Sequence, residues 1–368
     1  MTDAEPPIPP DQPAAPDAAP ASAEDDTRGS VSLGARLRQP RTILSIVVPL
    51  GIIGFFLYLN RDRLVQVPEL ILKANPALVL LAAFGIFYVG FPLRGFRWAM
   101  LLRSTGQPIT FKDSTEILYL SWLVNCLVPA KLGDVYRAYL LKINSTASLS
   151  RTFGTVFIER ILDLFVIAIL GLVAGFWSFR NGLPPEIQFV GALGVAVVVV
   201  LAGLLLTLRN FGRQIITRLP LPHRALELYE RFEEGVFGAI TLRQLPPLLV
   251  VTVLIWATEG IRLWLVVQAL GFPDVQLGIS GAVFVALIGS LLTAVPLSPA
   301  GLGVVDAGMG AVLVLAYGLP VTEATTIVVV DRVISVFSII LFGSILYVIS
   351  GKRKGEGLTP VTGEAVPA

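Results

Sequence analysis

Five stretches of this chain, about 76–100, 152–178, 187–208, 245–270 and 327–350, are long enough and apolar enough to span a bilayer. No other feature narrows the possible folds so far. A backbone surrounded by hydrocarbon must satisfy its own N–H and C=O groups, and segments of this length do so as α-helices. The chain is 54% apolar and 15% charged, with mean hydropathy +0.77, too hydrophobic for 368 residues to be hidden in a soluble core. The expected fold class is therefore all-α, a polytopic membrane helix bundle.

The flanks differ from this body. Residues 1–40 are rich in Pro, Ala and Asp/Glu and cannot bury enough surface to offset the entropy of ordering, so they read as a disordered cytoplasmic tail. Arg36, Arg38 and Arg41 precede the charge-free segment Ile43 to Leu59, which reads as a retained signal anchor. Residues 41–350 form one transmembrane domain, and residues 351–368 read as a second disordered tail. The net charge of +2 gives no reason to expect nucleic acid as a partner. A single cysteine, Cys126, and a single histidine, His223, leave no disulfide, zinc or haem chemistry, so no cofactor is expected.

Within the body, Pro129-Ala-Lys-Leu-Gly133 reappears as Pro299-Ala-Gly-Leu-Gly303. Around the copies, Gly95-Phe-Arg97 corresponds to Gly260-Ile-Arg262, and Glu159-Arg160 to Asp331-Arg332. Three landmarks in one order predict a duplicated unit, about 76–178 and about 245–350. Each unit holds shorter apolar segments beside the echo, Ile117 to Ala130 in the first and Ala307 to Leu319 in the second. Their length suits re-entrant or buried half-helices better than spans.

Short-loop Lys and Arg set the orientation. The 209–243 loop carries six arginines, the 131–151 loop carries Lys131, Arg137, Lys142 and Arg151, and Lys352-Arg353-Lys354 follow Ser350. All three are expected in the cytoplasm of a multi-pass plasma (cytoplasmic) membrane protein with both termini cytoplasmic. The 61–73 loop, with Arg61, Arg63 and Lys73, then falls outside against the rule. Under this count the two units begin on opposite sides, as inverted-topology repeats whose broken helices meet near the midplane. That arrangement points to a transporter site. The hinge residues are Pro129, Gly133, Pro296, Pro299, Gly301 and Gly303.

Charges inside apolar spans cost roughly 2.5–3.5 kcal/mol each on insertion scales, so something must compensate for them. Arg97, Arg160, Arg262, Arg332, Lys131 and Arg137 supply positive charge, and Asp134, Glu159, Asp163 and Asp331 negative charge, with Asn125 just before the first break. Arginine forks and half-helix N-termini suit a phosphate. These residues are the expected substrate-binding set, and none is expected to be catalytic, since no nucleophile with its base is present. Gly301, Val304 and Ala307 stand opposite Lys131, Asp134 and Arg137, so the first hairpin is expected to recognise the headgroup and the second to act mainly as a gate.

At Arg97-Trp98, Asn125 with Pro129, Gly133-Asp134 with Arg137, Glu159-Arg160 with Asp163, and Pro299 through Gly303, the chain resembles the transmembrane region of the lysylphosphatidylglycerol synthase family, also described as flippase-like. Lys131 stands where that family often has arginine, Ala300 where it has glycine, and Asp306 where it has glutamate. The resemblance implies movement of a phospholipid or polyprenyl-linked glycolipid between leaflets, without synthase activity. Membrane lipids are the expected partners, with lipid or glycan synthesis enzymes as further ones. The alternatives are a non-transporting scaffold of such a complex and an intramembrane lipid-modifying enzyme.

Overall fold

The computed structural model describes residues 65–180, 223–293 and 298–360, with scattered positions between 182 and 211. All regular structure among the described residues is helical. In chain order it comprises α1 (Val67–Lys73), α2 (Pro76–Ser104), α3 (Phe111–Leu127), α4 (Leu132–Asn144), α5 (Leu149–Ser178), α6 (His223–Phe237), α7 (Leu245–Leu270), α8 (Ile279–Leu292), α9 (Val304–Ala311, continuing as Val312–Ala316) and α10 (Val321–Ile349). The anchor at 43–59, the tail 1–40 and Pro296 lie outside the described residues.

Local chemistry sets the helix ends. Asn75 accepts from the N–H groups of Ala77 and Leu78, with Pro76 at the first helical position of α2. Thr110 caps α3 through the N–H of Asp113, and Ser148 caps α5 through that of Arg151. The polar cap explains why α3 begins at Phe111 rather than near Ile117: its first turn carries Lys112 and Asp113, which hydropathy excludes. Likewise α10 begins at Val321, earlier than 327, with a polar opening turn of Thr322 and Glu323.

Each unit runs long helix, short helix, break, short helix, long helix: α2 to α5, then α7 to α10. The packing is reciprocal as well. The helix pair α2 and α3 corresponds to α7 and α8, α4 and α5 to α9 and α10, and α3 lies on α10 as α8 lies on α5. At the centre α2 packs on α7, where the equivalent positions Arg94 and Glu259 pair at 2.7 Å. Two copies of one residue facing each other there would repel. The substitution of Glu for Arg in the second unit turns that contact into an attraction.

The two breaks share a backbone twist. Ala130 and Lys131 take φ of +64° and +51°, and Ala300 and Gly301 take +52° and +71°. Ala130, Lys131 and Ala300 are the three described non-glycine residues with positive φ. Left-handed backbone costs an L-residue roughly 1–2 kcal/mol, so packing must impose it. Gly133 is already helical, and its part is close approach: an added Cβ would stand 2.0 Å from the Ser121 carbonyl oxygen. The left-handed turn falls two and three residues earlier.

Outward faces are apolar. Val333, Phe337, Leu341, Ile345 and Val348 form an exposed stripe on α10, and Ile169, Val173, Phe176 and Trp177 are exposed on α5. Surfaces of this kind are stable against lipid. Four described helices, Pro76–Ser104, Leu245–Leu270, Pro299–Ala316 and Val321–Ile349, are long and apolar enough to cross a membrane, the third being interrupted before Val304. The protein is a multi-pass membrane protein. α6, whose helical character the sequence indicated from Leu226 to Phe237, docks on α5 where Gly154 and Gly235 meet: a Cβ on Gly235 would stand 2.1 Å from the Arg151 carbonyl oxygen. Residues 350–360, within the segment read from composition as tail, lie against α3 and α4. Asp113 accepts from Lys352 Nζ at 2.8 Å and from the N–H of Thr359 at 2.7 Å, and Asn144 binds both Lys352 O and the N–H of Gly357.

Candidate functional site

A cavity of about 320 Å³ opens where the two breaks face each other. α2 contributes Arg94 and Arg97, α3 contributes Trp122 and Asn125, and the first break contributes Lys131. Glu159, Arg160 and Asp163 enter from α5, and Glu259 and Arg262 from α7. The remaining wall is Ser290 and Thr293 of α8, Ser298, Ala300 and Gly301 of the second break, and Asp331, Arg332 and Ser335 of α10.

Arg97, 1% exposed, holds the first half together. Its fork meets Asp163 at 2.6 and 3.1 Å, it reaches Glu159 at 3.1 Å, and it donates to Thr252 at 3.0 Å. Arg160 grips Asp134 by a second fork at 2.8 and 2.6 Å. Arg137 pairs with Glu159 at 3.2 Å and lies over the Trp98 ring at 4.9 Å. In the other half Arg262 joins Asp331 at 2.9 and 3.2 Å and also pairs with Glu259, which links it to Arg94. Every buried carboxylate in this network therefore has an arginine partner, the condition for keeping it charged away from water.

Two of these pairs are duplicated. Arg97 with Glu159 corresponds to Arg262 with Asp331. Arg160 with Asp134 corresponds to Arg332 with Asp306 at 2.5 Å, each pair separated by 26 residues. Asp306, not Val304, is thus the charged counterpart of Asp134. The echo aligns Gly133 with Gly303, but the second short helix carries its acid two residues further on, and helix contact depends on register with α10. Asp306 also accepts from the N–H of Gly303 at 2.8 Å, while Gly133 donates to Asn125 Oδ1 at the same distance.

Of the residues singled out from the sequence, Arg97, Asn125, Lys131, Glu159, Arg160, Asp163, Arg262, Asp331, Arg332 and Gly301 line the cavity. Asp134 and Arg137 are joined to it through Arg160 and Glu159 from behind. Pro129 and Pro299 precede the left-handed residues, and Gly303 precedes α9. Sequence reasoning did not select the hydroxyl wall or Trp122 and Trp256. The 26-residue spacing was present in the sequence as a signal for Asp306.

Several buried donors have no partner among the described residues: Arg94 Nη1, Arg97 Nε, Arg332 Nη2 and the Ser335 hydroxyl. Arg332 and Ser335 lie three apart on one face of α10, both on the cavity. Lys131 forms no ion pair with a described residue. Unsatisfied donors in a buried site call for an acceptor-rich ligand or ordered water.

Comparison with known proteins agrees with this architecture. A UPF0104 membrane protein of Methanocaldococcus jannaschii is 38% identical over 228 residues, 61% of this chain and 93% of that protein. A UPF0104 membrane protein of Methanothermobacter thermautotrophicus is 26% identical over 82% of this chain and 90% of its own length. Glycosyltransferase AglD of Haloferax volcanii is 26% identical over 74% of this chain, which spans 48% of that protein. Residues 42–343 match the family described as Lysylphosphatidylglycerol synthase TM region, and the chain belongs to that family.

Proposed function

We propose that the protein is a lipid flippase, moving an anionic or phosphate-bearing lipid between leaflets of the plasma membrane by alternating access. The observation that carries this reading is the cavity itself: surplus buried donors and paired charges gather where two broken helix pairs face each other, inside a bundle whose outer faces are apolar. A headgroup fits in such a cavity while its chains remain in lipid. The reciprocal packing and duplicated ion pairs support a pseudo-two-fold relation between the units. We take the units as inverted repeats with re-entrant short helices and both termini cytoplasmic. Rocking of one unit against the other would alternately open the cavity to each side.

Reconstitution tests the proposal. In liposomes carrying a panel of head-labelled anionic lipids, the protein is expected to raise the fraction of label reached by an external quencher above that of empty vesicles, with or without an ion gradient. No increase across the panel would overturn it. The match to about half of a glycosyltransferase favours one second reading, a membrane module serving a lipid or glycan synthesis complex. A stable enzyme partner recovered from membranes, with no lipid movement in liposomes, would favour that reading.

A further inference from the structure

The cavity's charge balance and its hydroxyl wall together restrict the headgroup. Seven bases lie in the network, Arg94, Arg97, Lys131, Arg137, Arg160, Arg262 and Arg332. Six acids answer them: Asp134, Glu159, Asp163, Glu259, Asp306 and Asp331. One positive charge is left over, and Lys131 is the base without an ion pair. A net charge enclosed by protein and lipid is costly, and a ligand bearing one negative charge neutralises it. A diphosphate would overshoot. A zwitterionic or aminoacylated head would leave the surplus in place and bring an ammonium to carboxylates that already have arginine partners.

The second unit's wall has a different chemistry. Ser290 donates its hydroxyl hydrogen to Ala286 O, Thr293 to Ser290 O and Ser298 to Leu302 O. Each of these oxygens keeps lone pairs free while having no hydrogen to offer the cavity. They cannot serve a phosphate, which only accepts, but they suit the hydroxyl groups of a polyol. Beside them Arg332 Nη2 and Ser335 Oγ are unpartnered donors, and Arg332 is 9% exposed. The volume, at the lower end of the roughly 300–1,000 Å³ usual for ligand pockets, admits one small polyol and not an oligosaccharide.

We infer that the cavity binds a monoanionic lipid phosphodiester whose head is a neutral polyol, with the phosphate between Lys131 and Arg332 and the polyol on the Ser290, Thr293 and Ser298 wall. This rests on the flippase reading for its setting but concerns binding alone. Binding of short-chain probes to the full chain in detergent, followed by tryptophan fluorescence since Trp122 and Trp256 line the cavity, tests it. The probes are dihexanoyl phosphatidylglycerol, a short-chain polyprenyl mannosyl phosphate, dihexanoyl phosphatidic acid and dihexanoyl phosphatidylcholine. The glycerol or the mannosyl diester, or both, should bind at least tenfold more tightly than phosphatidic acid and phosphatidylcholine, and whichever binds identifies the source of the polyol. Lys131→Met should weaken that binding roughly 10- to 100-fold, the loss of one charge-assisted contact. Ser335→Ala should weaken it less. Equal binding of phosphatidylcholine or phosphatidic acid, or unchanged affinity in a folded Lys131→Met protein, would overturn the inference. Selective binding without lipid movement in liposomes would instead count against transport while retaining this site, and movement of every lipid without selectivity would do the reverse.

Discussion

At the scale of single residues, arginine geometry decides what the site tolerates. Arg262 uses three nitrogens on two carboxylates, Asp331 and Glu259, and is 5% exposed. Arg262→Ala strands buried negative charge and should lower stability by roughly 3–5 kcal/mol. Arg262→Lys should fall between the two, because a point charge cannot reproduce the fork. Thermal unfolding in detergent measures both, and a Lys variant as stable as the parent would contradict the assignment. Glycine gives a second contrast. Gly133→Ala must displace the Ser121 carbonyl and should cost about 1–3 kcal/mol, whereas Gly310, with nothing within 4 Å of an added Cβ, should gain up to about 1 kcal/mol from alanine. The pattern of the charged residues is legible in the sequence alone, since Arg97, Glu159, Arg262 and Asp331 sit at matching places around the echo. Their partners are not, because pairing depends on which helix faces lie opposite.

At the scale of elements, the two breaks are built alike from unlike sequences. Lys131 and Gly301 adopt the same left-handed backbone, although only glycine adopts it without strain. Ala130→Gly and Ala300→Gly should each stabilise the protein by about 0.5–1 kcal/mol, the relieved strain less the greater entropy of the unfolded chain. A fall in melting temperature for both would show that the methyl groups pack too well to lose. The echo identified these breaks from sequence, but it suggested Gly133 as the turning point. The turn lies at Ala130 and Lys131 because Gly133 is used for contact between α3 and α4, a requirement invisible in a string of residues. Helix starts were misplaced for a related reason: hydropathy locates apolar cores, while the caps Thr110 and Ser148 locate ends.

At the scale of the whole molecule, the segment after α10 ties the second unit to the first. Asp113, 1% exposed, holds both Lys352 and Thr359, and Ser350 donates to Glu116 at 2.5 Å. Asp113→Ala should free residues 350–360, seen as faster proteolysis within that segment and as faster amide exchange there, with the transmembrane helices protected as in the parent. If rocking of the units moves α3 and α4, the same variant should also change the rate of lipid movement in liposomes. Unchanged proteolysis would mean that Asn144 alone holds the segment.

The sequence by itself determined the solvent, the helical class and the duplication, because spans without charge have one way to satisfy their backbone in lipid and because three landmarks recur in order. It also identified which charges had to be compensated, since each is costly at its depth. The tertiary structure decided how they are compensated. It placed Asp306 opposite Arg332, paired Arg94 with Glu259 between the units, and left Lys131, Arg332 Nη2 and Ser335 facing the same cavity without acid partners. Those outcomes depend on helix register and crossing between segments up to 165 residues apart. No local pattern encodes them, because the energy of a buried charge is set by what packs against it.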